Sequence, residues 1–217
     1  MAYVDVLPAN STAQTPDETG TGTAGCQLQA GNALTDNDTF CTIRAQSSTV
    51  NTSYCYTGVV ELKWGGAGSL SSDTTITGIQ FIFEAKGLVN DESDALQYKV
   101  STDGGSSYSA YQDGDLTGLP GGKASADVFV IPSSIESNPP FSLSDAITVS
   151  SLNSNDVRIR IKLNASEPDP KQISFDYVKI RLHYDDSRPT YDNGSDEQVI
   201  NSGILILNSG EIKFWNL

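Results

Sequence analysis

Histidine occurs once in these 217 residues, at His183, so no second imidazole is available to share a metal ion or to serve a nucleophile. There is no G-x-S-x-G, no P-loop and no metal-binding helix motif, and the Gly-rich stretches are not followed by a helical pattern that could cradle phosphate. An enzyme is therefore not expected. Thirteen Lys and Arg against 27 Asp and Glu give a formal net charge of −14, a field that repels phosphate backbones and anionic lipid. Nucleic acid and membrane are not expected as partners. No apolar run reaches bilayer length, and the first twenty residues lack a basic n-region and an apolar h-region, so synthesis in a cytoplasm with no signal peptide is expected. The three cysteines, Cys26, Cys41 and Cys55, are odd in number and too widely spaced for a zinc knuckle. Reduced, partly buried thiols are the plain reading; a Cys41–Cys55 bridge formed after release from the cell is the alternative.

What the chain has is turn chemistry between short apolar runs: 19 Gly, 9 Pro and long Ser/Thr/Asn/Asp stretches. This is the composition of an all-β protein, and the length suits one β-rich domain plus appendages. The clearest strand is 157–163, where Val157, Ile159, Ile161 and Leu163 share one face and Arg158, Arg160 and Lys162 the other. Ile79, Phe81 and Phe83 repeat the alternation, as do Leu96, Tyr98 and Val100, and then Val178, Ile180, Leu182 and Tyr184. Further strands are expected near 54–63, 126–131 and 145–149, which brings the count to the seven to nine of a two-sheet sandwich. Turns fall at Asp103-Gly104-Gly105-Ser106, Asp113-Gly114-Asp115, Pro120-Gly121-Gly122 and Asn138-Pro139-Pro140. The expected organisation is an N-terminal arm or linker over 1–24, a sandwich over 25–184, a linker over 185–198 and a C-terminal strand pair over 199–217.

Three kinds of residue are candidates for binding. Asp113 and Asp115 are close enough to offer calcium hard oxygen ligands, as are Asp36/Asp38 and Asp91/Glu92/Asp94, although none fits an EF-hand loop. No other cofactor is implied. Tyr108 and Tyr111 flank a turn and could stack on sugar, whereas Tyr54, Tyr56 and Trp64, grouped around one strand, suit a core at least as well. Ile204-Leu205-Ile206-Leu207 shows no alternation, so a strand there presents an apolar face whichever side it packs on, and Ile212, Phe214 and Trp215 follow at once. A strand pair alone is marginal in water. These seven residues are read as an oligomer interface, with docking onto the chain's own sandwich as the alternative.

The words "ITGI" at 76–79, "STDGG" at 101–105 and "FDYVKIRLHY" at 175–184, preceded by Gly31-Asn32-Ala33-Leu34-Thr35-Asp36, occur in an order that resembles the jelly-roll β-sandwich modules of bacteriophage virion proteins. Phe40-Cys41 departs from the usual Tyr-Ala, and Tyr108 stands where Trp is common. The heptapeptide Gly210–Asn216 is similar to the opening of fibrous repeats in phage tail appendages, where strands from three chains wrap one axis. The resemblance implies an all-β jelly-roll sandwich with an extended N-terminal arm and a C-terminal strand tail. It implies a virion structural protein, a tail-fibre or head-fibre appendage or a capsid decoration subunit, whose partners are sister subunits, three in number, and other virion proteins. The rival reading is a lectin-like carbohydrate-binding sandwich that meets host-surface glycan through Tyr108 and Tyr111, with calcium as an optional companion.

Overall fold

The computed structural model describes residues 2–14, 31–45, 55–56, 59–87, 96–114, 126–163, 171–185, 197–200, 203–208 and 211–215, with the backbone alone for 12–14, 44–45, 55–56, 171–172 and the strands after 196. The chain divides into two compact units, residues 1–185 and 186–217.

The first unit is a pair of sheets. One runs β4 (Cys55–Tyr56), β3 (Cys41–Ala45), β11 (Lys171–Tyr184), β6 (Ile76–Gly87), β9 (Asp127–Ser137), with β1 (Ala2–Val6) also on β11. The other runs β2 (Asn10–Gln14), β5 (Val59–Lys63), β10 (Arg158–Leu163), β7 (Leu96–Ser101), β8 (Gln112–Asp113). Pairing is antiparallel except between β3 and β4. Strand β11 organises the first sheet: one edge follows β6, while the other is shared by β3 over 171–175 and by β1 over 180–184.

Alternation in the sequence explains the layers. In β10 every second residue is buried, so Ile159, Ile161 and Leu163 face inward and Arg158, Arg160 and Lys162 outward. Inward residues of β6 and β11, Phe81, Phe83, Val178 and Ile180 among them, meet Leu62, Tyr98 and Ile161 of the opposite sheet in one cluster. Phe81 is central: its ring lies 5.9 Å from Trp64 and 5.8 Å from Tyr98, the latter edge-on. Cys41 is a free thiol inside this core, and burial pushes its pKa up to about 12. The plain reading of that cysteine holds.

Three expectations give way. Residues 2–14 are strands of the sandwich rather than an arm: Val4 and Val6 pack on the core, Trp64 Nε1 donates to the Val6 carbonyl at 2.9 Å, and β2 lies along β5. Val4 and Val6 are two residues apart and thus on one face, so five residues are enough to continue a sheet that already exists. Residues 15–24 lie outside the described residues. No strand forms at 145–149; the chain instead enters helix α1 (Val149–Asn153), whose Thr148 N-cap and Ser151 satisfy each other's backbone amides while Val149 and Leu152, three apart, face the core.

The third concerns the second unit, where the expected strand pair is a three-stranded antiparallel sheet of β12 (Glu197–Ile200), β13 (Gly203–Asn208) and β14 (Glu211–Trp215). Its first strand begins inside the stretch expected to be linker. Glu197-Gln198 reads as polar, yet Val199 pairs with Ile204 and Ile200 with Gly203.

Truncating Phe81 to Ala removes the ring that both sheets share. Unfolding in urea is expected to show a loss of about 3–5 kcal/mol, with the midpoint lowered and the slope unchanged.

Candidate functional site

The outer face of the second sheet is built around one acid. Glu61 is the middle residue of β5, has no exposed surface, and lies among Arg160 Nε at 2.8 Å, Arg158 Nη1 at 3.3 Å and Lys63 Nζ at 3.4 Å. The Tyr108 hydroxyl donates to the same carboxylate. Burial alone would raise the Glu61 carboxyl; the hydrogen bonds from Tyr108 and Arg160, with the charges of Arg160 and Lys63, outweigh it and hold the group below its usual range. Burial and the Glu61 carboxylate in turn push the Tyr108 hydroxyl up.

Tyr108 reaches this position through the turn that precedes it. Gly104 and Gly105 have φ of 75° and 86°, values that glycine adopts without strain, and a Cβ on Gly105 would stand 2.9 Å from Arg158 Nη1. The turn is tied by Asp103, whose carboxylate accepts from the Ser107 amide at 2.9 Å and from the Ser101 hydroxyl at 2.8 Å. Against a burial effect that would raise it, hydrogen bonds led by those of Ser107 hold the Asp103 carboxyl at about 2.

Tyr108 and Tyr111, the glycan candidates, therefore stand on one face, and cations meet both. Arg160 lies 4.2 Å and Lys99 5.1 Å from the Tyr108 ring centre; Lys162 lies 3.7 Å and Lys99 4.7 Å from that of Tyr111. The Trp64 of the other aromatic group is core, Tyr54 lies outside the described residues, and of Tyr56 only the backbone is described.

Of the calcium pair, Asp113 accepts a hydrogen bond from Gln97 Nε2 at 2.9 Å and is exposed, while Asp115 lies outside the described residues, as do Asp91, Glu92 and Asp94. The structure assembles a different acidic group, Asp36, Glu84 and Asp176, with one carboxylate oxygen of each within 4.8 Å of the others. A β-bulge makes it possible: β11 gains one residue against β6 between Phe175 and Tyr177. The extra residue, Asp176, is buried and accepts from the Asn37 amide at 3.1 Å and the Thr39 amide at 3.0 Å. Burial, then Asp176, Asp36 and Asp38, raise the Glu84 carboxyl, and Lys179 Nζ lies 3.4 Å from Asp36. Three hard oxygens in this space could serve a divalent cation such as calcium, although Lys179 and two amides already balance part of the charge.

His183 is on the outer face of β11, yet it is not wet. It is 7% exposed, its Nε2 is 2.9 Å from Gln80 Oε1, and Gln80 holds the Pro132 carbonyl of β9. Burial, then Arg181, lower its pKa.

Of the expected interface, the described backbone fixes the register. Ile204 pairs with Trp215, Leu205 with Phe214 and Leu207 with Ile212, so Leu205, Leu207, Ile212 and Phe214 fall on one face and Ile204, Ile206 and Trp215 on the other. The sequence reading missed Ile200 and Val199, which the pairing of β12 adds to the first and second face respectively.

Comparison with known proteins found no matching family model and no matching curated protein.

Replacing Glu61 by Gln leaves three cations around a neutral group. A loss of about 3–5 kcal/mol is expected by urea denaturation at neutral pH. A carboxyl whose pKa is held down contributes stability above its unfolded value and loses it as pH falls, so the variant's stability is expected to decline less steeply on acidification than the native protein's. Glu84 has the opposite sign: raised by its acidic neighbours, it contributes stability at low pH that is lost as pH rises through its folded value. Glu84→Gln is thus expected to raise the thermal midpoint at neutral pH with chelator present, by up to about 2–4 °C, and the gain disappears on acidification. The same comparison in millimolar calcium reads whether a cation sits among the carboxylates, for then the substitution lowers the midpoint.

Proposed function

We propose that this chain is a non-enzymatic assembly protein, a jelly-roll subunit of a bacteriophage virion that joins sister copies through residues 197–215. The strand order supports the jelly roll. Numbering β3, β5, β6, β7, β8, β9, β10 and β11 from one to eight, one sheet reads 1-8-3-6 and the other 2-7-4-5. A hairpin folded over on itself, each arm winding alternately through both sheets, gives this order. The phage assignment rests on the resemblance of "ITGI", "STDGG" and "FDYVKIRLHY", with fibre appendage favoured over capsid decoration by the likeness of Gly210–Asn216.

The observation that carries assembly is the three-stranded sheet of the second unit. Its register puts large apolar residues on both faces, four of the seven expected interface residues plus Ile200 on one and three plus Val199 on the other. A sheet of three short strands has no inside, so each apolar face needs a cover. Sister copies supply one by symmetry, and burying about 100–200 Å² of apolar surface per copy contributes a few kcal/mol at roughly 25 cal/mol per Å². A second reading, the carbohydrate-binding sandwich, is favoured by one observation, the convergence of Tyr108 and Tyr111 on a single cationic face.

Light scattering of the full chain is expected to give three times the 23.1 kDa chain mass, and residues 1–185 alone the mass of one. Phe214→Asp in the full chain is expected to behave like the shortened protein. Equal single-chain masses for all three would overturn assembly through this sheet.

A further inference from the structure

The outer face of the second sheet breaks a rule that a chain this acidic could have kept easily. Across the ladder Arg158 stands directly opposite Lys63, and Arg160 directly opposite Lys99. Like charges directly opposite are destabilising in a sheet. Along β10 the residues Arg158, Arg160 and Lys162 form a row with about 7 Å between neighbours, two residues of an extended strand. Five of the chain's 13 cations thus share one face, while the outward positions of these strands carry only Glu61 and Asp113 as acids among the described residues. Glu61 balances part of this charge from beneath, since it has no exposed surface. Glu61 is the internal gain for Arg158, Arg160 and Lys63, but five cations outnumber the two acids of this face, and such a surplus on so acidic a chain marks a surface shaped for something outside the fold.

We infer that this face binds an acidic polysaccharide, one bearing carboxylate or sulfate groups. The charge is complementary, and the row is extended rather than gathered at a point, which suits a chain of repeating anions. The rings select sugar over a bare polyanion. Tyr108 and Tyr111 lie on the same face, the Tyr108 hydroxyl held by Glu61 and its ring beside Arg160 and Lys99, the Tyr111 ring beside Lys162 and Lys99, so an aromatic surface adjoins three of the five cations. The cations against those rings also argue for an anionic ligand over the neutral sugar that stacks on bare tyrosine. Pre-arranged side chains lose little freedom on binding. Duplex nucleic acid, with one charge per ~1.7 Å of axis, meets the repulsion of a chain carrying −14 more strongly than a polysaccharide whose acids are spaced by whole sugar units. This deepens the carbohydrate-binding reading and is independent of assembly through residues 197–215.

The test is an array of oligosaccharides in carboxylated, sulfated and neutral forms of the same backbone, probed with the full chain at low and high salt. Binding to the acidic forms only, weakened at least tenfold at high salt, is expected. Lys99→Ala combined with Lys162→Ala is expected to lose at least tenfold in affinity while its thermal midpoint stays unchanged or rises, because like charges have been removed. Equal binding to neutral forms, or no binding to any form at low salt, overturns the inference. So does a fall in light-scattering mass on making the double substitution, which would assign the face to a sister chain. A single-chain mass for the native protein, with acidic glycan still bound, keeps the inference and removes the assembly proposal alone.

Discussion

Packing two sheets face to face demands that every second residue be apolar, and the period of two in β6, β7, β10 and β11 is the constraint from which the rest follows. It assigns Phe81, Tyr98, Ile161 and Ile180 to the interior. By the same step it leaves Lys99, Arg160 and Lys162 outside, so the composition of the outer face is fixed wherever the inner face is. The core and the candidate surface are two readings of one alternation.

Chemistry also collects where the period of β11 slips, between Phe175 and Tyr177. Ile173 and Phe175 are inward at odd positions, whereas Val178, Ile180 and Leu182 are inward at even ones. The phase can change only if an extra residue is accommodated, and that residue is Asp176. Held by the Asn37 and Thr39 amides, its carboxylate ends up beside Glu84, whose pKa rises in consequence. A bulge that a sheet could do without thus fixes one loop, 37–39, and sets up an acidic group. On the opposite sheet the electrostatic problem is the reverse, and a single buried acid, Glu61, answers it by accepting from Tyr108 and Arg160 while Arg158 and Lys63 stand nearby.

Much of this was legible in the sequence, for reasons that are local. Alternation located the strands at 79–84, 96–100, 157–163 and 178–184, and the break in phase at Phe175-Asp176-Tyr177 is itself visible in the residues. Two kinds of feature were not. Short edges such as 2–6 carry too few residues for a period to stand out, and depend on a neighbour already in place. Clusters drawn from separate elements are invisible to spacing: Glu61, Lys99, Tyr108 and Arg160 come from three strands and a turn, and Asp36, Glu84 and Asp176 from a loop, a strand and a bulge. Near 145–149 the apolar positions fitted both periods, and the cap at Thr148, a signal in the sequence, decided for helix.

The proposed surfaces of the two units obey different physics. Copies that each carry −14 repel one another, so association through residues 197–215 must be driven by apolar burial, and added salt favours it by screening that repulsion. An acidic polysaccharide on the cationic face gains its affinity from charge, and added salt removes it. The two proposed roles fall in separate units, 1–185 and 186–217, so neither surface would have to be tuned at the expense of the other. That separation would also let so acidic a chain sustain a cationic face: the strands proposed for assembly are mostly apolar and hold one of the 13 lysines and arginines, Lys213, whereas five are concentrated where a repeating anion would need them.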